Sequence, residues 1–249
     1  MSTILTETQK KSFKESGYLK IKTFFNKEEI EQIKNWVTEL QSLKETPGKW
    51  MMYFEQSKNK PSNRILNRIE NFEPYHKGFK KLFNFQMLNC VAQLFDSPTV
   101  LFKDKINFKM PGGSGFNAHQ DVQAGWDKYC KIHITVLVSI DKSNKKNGCL
   151  ELSPGNHLRG ILGEKWTPLD ENSLNYISCP SDPGDVVFFD SYCPHRSKPN
   201  DTDQPRRVLY VTYNKLNEGD HRKQYYADKR KNYPQDCERD PKKQYKYFV

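Results

Sequence analysis

No stretch of the 249-residue chain approaches the run of about eighteen apolar residues that a membrane-spanning helix requires, and the opening MSTILTETQKKSFKE lacks the apolar core of a secretory signal. The six cysteines, at positions 90, 130, 149, 179, 193 and 237, include no CxxC pair and no spacing that suggests zinc. Reduced thiols, no membrane partner and a cytoplasmic location are therefore expected. Internal repeats and low-complexity tracts are also absent, so one domain over residues 1–249 is expected.

Apolar residues make up only 35% of the chain and the mean hydropathy is −0.89, yet 13% of the residues are aromatic, which argues for a folded protein. Forty Lys and Arg against thirty Asp and Glu give a formal charge of +10. That balance favours anionic partners without choosing among nucleic acid, a membrane surface and a small acidic substrate. Much of the excess lies in KNK at 58–60 and in the tail from Lys215 to Lys246. Such runs are ordinarily solvated faces, although the tyrosines interleaved in HRKQYYADKRKNY leave open a module that tracks a phosphate backbone.

The segment from Thr6 to Thr23 predicts a capped helix stopped at Gly17, then a strand carrying Tyr18 and Ile21 with Phe24 just beyond. In NKEEIEQIKNWVTELQ, Asn26 is an N-cap, and Ile30, Ile33, Trp36, Val37 and Leu40 recur at helical spacing. Residues 46–64 are turn-rich and predict a long irregular loop before a helix-rich stretch from Lys77 to Phe95. After Ser97-Pro98 the chain changes to short strand-like runs, among them TVLFKDKINFKM, KIHITVLVSID, DVVFFDS and RVLYVTYN. The expected organisation is a helical part over about 1–97, a β core of sandwich or barrel type over about 98–216, and a basic C-terminal extension over about 217–249.

Within FNAHQDVQAGW, strand geometry projects His119 and Asp121 to one side and Gln120 to the other. Six histidines and fifteen aspartates would produce a His-x-Asp by chance with a probability of roughly a third, so the pair alone decides little. PGDVVFFDSYCPHRS adds a glycine turn, an apolar strand and then His195 where the chain leaves the sheet. Two imidazoles and one carboxylate on one face of an octahedral ion suit non-haem Fe(II), which keeps open positions for a chelating co-substrate and dioxygen. A structural zinc would be closed by four ligands. Arg206 follows His195 by eleven residues; if their strands are antiparallel neighbours, its guanidinium returns to the metal and can pair with a carboxylate. Arg207 competes for that role if the strand register shifts by one. His133 reads as a packed strand residue and His157 as a loop residue.

Together INFKMPGGSGFNAHQD, GCLELSPGNHLRG, PGDVVFFDSYCPHRSKPN and PRRVLYVTYN resemble the Fe(II)/2-oxoglutarate dioxygenases of the phytanoyl-CoA dioxygenase superfamily. The resemblance implies a mainly β fold with flanking helices, a double-stranded β-helix of the jelly-roll, cupin-like type with the metal in its mouth. It implies His119, Asp121 and His195 as catalytic metal ligands for Fe(II), with 2-oxoglutarate and dioxygen as co-substrates. Arg206, Asn107 and Ser197 are implied to hold the 2-oxoglutarate, and hydroxylation is the implied outcome.

The segments expected to cover the mouth, KWMMYFEQSKNKPSNRILNRIENF and INFKMPGGSGFNAHQD, are rich in Lys, Arg, Asn and Glu, which suits a small charged metabolite better than a fatty acyl chain. Lys109, Asn117, Arg64, Arg68 and Trp126 are the candidate substrate contacts, with Arg64 and Arg68 sharing a helical face and Glu55 or Glu70 supplying acids. MMYFEQS, LNRIENF and FNAHQDVQAGW are similar to segments of the bacterial 2-aminoethylphosphonate dioxygenases. That similarity implies hydroxylation of the carbon next to phosphorus in an organophosphonate. A hydroxylase of an amino acid or betaine-like metabolite and a non-catalytic nucleic-acid-binding barrel are the alternatives.

Overall fold

The computed structural model describes residues 4–245, so Lys246 at the end of the basic tail lies outside the described residues. Helix α1 (Glu7–Ser16) is opened by a reciprocal cap between Thr6 and Gln9 and closed by Gly17 at φ 80°. Strand β1 (Tyr18–Ile21) leads to α2 (Lys27–Gln41), which Asn26 caps and which buries Ile30, Ile33, Val37 and Leu40 along one stripe. Two shorter helices, α3 (Lys77–Phe83) and α4 (Gln86–Phe95), occupy the stretch expected to be helix-rich.

The N-terminal part, expected to be helical apart from the strand after Gly17, also contains a hairpin, β2 (Met51–Gln56) with β3 (Arg64–Glu70), so residues 46–64 are not one irregular loop. Arg64 and Arg68 lie on β3 and not on a helix, and the pairing register shifts between them. The hairpin hides in the sequence because β2 begins with three consecutive buried residues, which erases the period-two signal.

The remaining strands are β4 (Thr99–Lys109), β5 (Phe116–His119), β6 (His133–Ser139), β7 (Leu150–Leu152), β8 (Ile177–Cys179), β9 (Val186–Asp190), β10 (His195–Ser197) and β11 (Arg206–Lys215). They form two antiparallel sheets, one ordered β1-β9-β6-β11-β4-β3-β2 and one ordered β5-β10-β7-β8, in a jelly-roll arrangement. The larger sheet is covered on both sides, and alternation along each strand sorts its side chains. Ile106 and Phe108, Ile134 and Val136, Val186 and Phe188, and Leu209 and Val211 face the helices in the main core. The alternate positions Leu137, Val187, Phe189 and Val208 pack against Leu150 and Leu152 of the smaller sheet.

The C-terminal extension is part of this architecture. Helix α5 (Arg222–Asn232) lies against β3 and β4: Arg222 meets Asp104 at 2.6 Å, the Tyr226 hydroxyl donates to the Asp104 carbonyl at 2.9 Å, and Lys229 meets Glu70 at 2.6 Å. Further on, Gln235 is fully buried and its Oε1 accepts from the Met52 amide at 3.0 Å. The helix escapes detection because its inward contacts are tyrosines and cations, so no aliphatic stripe marks it. No helix among the described residues is long and apolar enough to cross a membrane.

Arg222→Gln leaves the buried Asp104 carboxylate short of its cation and should cost about 3 kcal/mol. Urea unfolding should show one transition at a lower midpoint; an unchanged midpoint would mean that the extension contributes nothing to the fold.

Candidate metal centre and its cavity

His119 ends β5 and His195 begins β10, and the two pair directly across the smaller sheet with ring centroids 4.3 Å apart. Nδ1 of His119 lies 2.6 Å from the Asn117 carbonyl, and Nδ1 of His195 lies 3.0 Å from that of Cys193. A carbonyl only accepts, so each Nδ1 carries the proton and each Nε2 keeps a free lone pair. Asp121 opens a 3-10 turn just after β5, with Oδ1 4.0 Å from the His119 Nε2 and 3.9 Å from the His195 Nε2. These gaps are too long for hydrogen bonds and suit three ligands that each reach roughly 2 Å to a shared ion. Thr135 steadies the carboxylate by donating to Oδ2 at 3.2 Å. Among the described residues this is the one cluster of three or more metal-ligating side chains.

Burial pushes His119 down to about 3, aided by His195, and burial also lowers His195, so both rings are neutral in ordinary buffers. Burial alone would raise Asp121, but the positive charges facing it, the two histidines where they are protonated and then Lys105 and Lys103, outweigh it and hold the carboxyl below its usual range. Neutral imidazoles and an ionised carboxylate are the forms that bind a metal. His133 is packed in its strand, 4.4 Å from the Phe102 ring, and burial lowers it to about 3.

Gln120 points away from the cluster and donates to the carbonyls of Gly160 at 2.8 Å and Tyr192 at 2.7 Å, while its Oε1 accepts from the Leu162 amide at 2.8 Å. Gln123 donates to the carbonyls of Glu164 at 2.8 Å and Thr167 at 2.9 Å. Two glutamines, neither singled out in the sequence, thus staple the 160–169 loop to the His-x-Asp segment. At that rim Trp166 is half-exposed with φ 63°, a left-handed backbone that costs an aromatic residue on the order of 1–3 kcal/mol.

Arg206 is placed differently from what the sequence suggests, and it is not among the residues lining the cavity. Strands β10 and β11 belong to different sheets, so the intervening chain crosses between them and Arg206 faces inward from the larger sheet. It is 1% exposed, and its Nε has no hydrogen-bond partner among the described residues. Asn107 Oδ1 is likewise buried and unpartnered, whereas the Ser197 hydroxyl accepts from Lys109 Nζ at 2.8 Å. Arg207 points the other way, with Nε and Nη2 each 2.8 Å from the Asp141 carboxylate. Unsatisfied buried donors and acceptors around a guanidinium suit a carboxylate-bearing co-substrate.

A cavity of about 610 Å³ opens onto His119, Asp121 and His195, with Asn107 and Ser197 on its wall. Trp126 also lines it, as do Lys103, Lys105 and Lys229, which the sequence did not single out. The signal was present in KDKINFK, where period two places Lys103, Lys105, Asn107 and Lys109 on one face of β4. The other residues considered for substrate contact sit elsewhere. The Asn117 side chain is exposed, Arg64 pairs with Glu45 at 2.9 Å and Asp236 at 3.0 Å, Arg68 is buried against Glu70 at 3.1 Å, and Lys109 stands behind Ser197. Glu55 accepts from Asn67 at 2.9 Å, and neither Glu55 nor Glu70 lines the cavity. Nor do residues 50–70 close the mouth: its rim comes from the 160–169 loop and α5.

The family model described as phytanoyl-CoA dioxygenase matches residues 13–208. The chain is 40% identical to the 2-aminoethylphosphonate dioxygenase of uncultured bacterium HF130_AEPn_1, over 96% of this chain and 93% of that protein. It is also 40% identical to the methylphosphonate hydroxylase of Gimesia maris, over 94% of this chain and 90% of that protein. Among solved structures, EctD from S. alaskensis superposes with a TM-score of 0.70 at 19% identity, over 86% of this chain and 77% of that one, which shows the shared fold. The chain belongs to the phytanoyl-CoA dioxygenase family. Its chemistry is that of an Fe(II)- and 2-oxoglutarate-dependent dioxygenase, to which the two-histidine, one-carboxylate donor set is suited.

Gln123→Ala removes two donors from the rim loop, each worth about 1 kcal/mol. Amide exchange across residues 160–169 should accelerate by about tenfold or more in hydrogen-exchange mass spectrometry; wild-type protection in the variant would show that the loop is held by other contacts.

Proposed function

We propose that the protein hydroxylates a small organophosphonate, with His119, Asp121 and His195 as the iron ligands, working as one catalytic domain. The observation that carries the substrate reading is the charge of the cavity wall. Lys103, Lys105 and Lys229 line it, and Asp121 and Asp228 are the carboxylates among its described lining residues. A compact oxyanion suits such a wall, because its several oxygens can accept from the lysine amines that line it. The two relatives at 40% identity, whose names specify phosphonates, support the same class.

Bound iron, with 2-oxoglutarate and dioxygen, would supply the oxidising power for C–H hydroxylation, consuming the keto acid to succinate and carbon dioxide. The protein's part is placement. The carbonyls of Asn117 and Cys193 fix the histidine tautomers, and Thr135 orients Asp121. Arg206 would hold the distal carboxylate of 2-oxoglutarate, with Asn107 and Ser197 completing its pocket. Burial of all these groups keeps bulk water from the reacting centre.

Within the class, 2-aminoethylphosphonate, hydroxylated at the carbon next to phosphorus, is the first candidate, and its ammonium would face Asp228. Methylphosphonate is the second reading, favoured by the state of Asp228, whose carboxylate already accepts from Lys128 and Tyr129 at 2.7 Å each and from Gln224 at 2.8 Å. Six free cysteines fit a cytoplasmic location.

With Fe(II) loaded anaerobically and oxygen then admitted, 2-oxoglutarate and the true phosphonate should give succinate and a product heavier by one oxygen in equal amounts. Failure of both phosphonates to stimulate succinate release would overturn the substrate class. Arg206→Ala should raise the KM for 2-oxoglutarate by about tenfold or more, the loss of a charge-assisted contact. Arg207→Ala, which breaks only the pair with Asp141, should change it by less than about threefold; the reverse ranking would exchange their roles.

A further inference from the structure

Of the six Lys and Arg side chains among the cavity's described lining residues, five are already engaged with carboxylates. Lys229 meets Glu70 at 2.6 Å and Lys103 meets it at 3.7 Å, Lys128 meets Asp228 at 2.7 Å, Lys165 meets Asp127 at 2.6 Å, and Arg196 meets Glu151 at 2.7 Å. Lys105 differs: among the described residues its Nζ makes no hydrogen bond and no ion pair. Rings hold the ammonium instead, 4.7 Å from the Tyr210 ring centre and 5.9 Å from that of Phe116. A ring face attracts a cation without taking up an N–H, so the three donors of Lys105 stay available to a ligand.

Lys105 stands two residues before Asn107 on the same face of β4, roughly 7 Å along the strand. Across the sheet it faces Tyr210 of β11, whose hydroxyl is hydrogen-bonded to Arg206. Among carboxylates, Asp121 exerts the largest pull on it. The amine therefore neighbours both the groups proposed to hold the co-substrate and the carboxylate proposed to hold iron. Burial, then Lys103, push it down to about 7 against the pull of Asp121, a shift that an oxyanion seated beside it would reverse.

We propose that Lys105 is the head-group contact of the substrate: its ammonium takes the phosphonate oxygens beside Asp121 and so places the carbon bonded to phosphorus, rather than a more distant one, at the metal centre. The proposal rests on the organophosphonate reading and goes one step deeper. Hydroxylation at that carbon leaves phosphorus one bond from the reacting atom, so the phosphonate oxygens must lie close to the metal centre as well. Oxyanions are themselves metal ligands. An amine that holds these oxygens keeps them off the positions that the co-substrate and dioxygen need, and turns the adjacent carbon inward. A cation at the rim could anchor the far end of a longer substrate, but it could not select this carbon.

Calorimetric titration of the full-length protein, anaerobic and loaded with Fe(II), tests this first with 2-oxoglutarate alone and then, at saturating 2-oxoglutarate, with 2-aminoethylphosphonate and methylphosphonate. Lys105→Met keeps an unbranched stem and removes the charge. It should weaken phosphonate binding by at least about tenfold, the loss of a charge-assisted hydrogen bond, and leave 2-oxoglutarate binding within about threefold. In turnover the same variant should release more succinate than hydroxylated phosphonate, because the carbon is no longer held in place, whereas a structural defect lowers both together. If Lys105→Met does not fold, Lys105→Gln, which retains a polar tip in the cavity, should show the same split. Wild-type phosphonate affinity or one-to-one coupling in the variant, or a loss of 2-oxoglutarate affinity as large as that for phosphonate, would overturn the head-group assignment and leave the substrate class standing. Wild-type protein that binds neither phosphonate would overturn the substrate class and the assignment with it.

Discussion

The antiparallel pairing of β4 with β11 is the constraint on which the other features rest. Its register runs from Arg206 opposite Lys109 to Lys215 opposite Thr99. One face of the pair is aliphatic and holds the helices through Ile106, Phe108, Leu209 and Val211. The opposite face carries Lys103, Lys105 and Asn107 beside Tyr210 and Thr212, all on the cavity wall. Slipping the register by one residue would drive the lysines into the apolar core and the aliphatic side chains into the cavity. Fold and site are specified by the same alternation, and neither can be lost alone.

Against that wall the smaller sheet supplies the candidate metal-binding donors. The direct pairing of His119 with His195 brings two imidazoles together from strands far apart in sequence, and the turn after β5 adds Asp121. The division matters electrostatically. Low polarity around the imidazoles keeps them neutral, while the lysines across the cavity help keep Asp121 ionised. A two-histidine, one-carboxylate site needs both conditions together.

Much of this was legible in the sequence because it is written locally. Caps at Thr6 and Asn26, the stop at Gly17 and the strand runs after residue 98 each depend on neighbours in the chain. The pairing of His119 with Asp121 could be read from their spacing, although Asp121 itself opens a 3-10 turn just past the strand, and His195 from its place after an apolar strand. The β2–β3 hairpin was lost because burial on both faces erases alternation. The four-residue spacing of Arg64 and Arg68 looks helical in the sequence but carries no helical meaning on a strand. The crossing that carries Arg206 to the larger sheet could not be seen, because chain spacing does not reveal which sheet a strand joins. Lys229 was invisible as a wall residue: a basic helix without an aliphatic stripe reads as solvated surface until its buried acidic partner, far back in the chain, is known.

The placement of α5 also sets an order of events during synthesis. Every proposed iron ligand, and the arginine proposed to hold the co-substrate, lies before residue 207, whereas the helix that completes the cavity starts at Arg222. As the chain leaves the ribosome, the groups proposed to hold iron emerge before α5, which adds Tyr225, Asp228 and Lys229 to the cavity wall. The anchors of that wall, Glu70 on β3 and Asp104 on β4, are among the earlier residues to appear. Glu70 has Arg68 and Lys103 beside it from the start, but Asp104 meets Arg222, and Glu70 its nearest cation Lys229, only once α5 has packed.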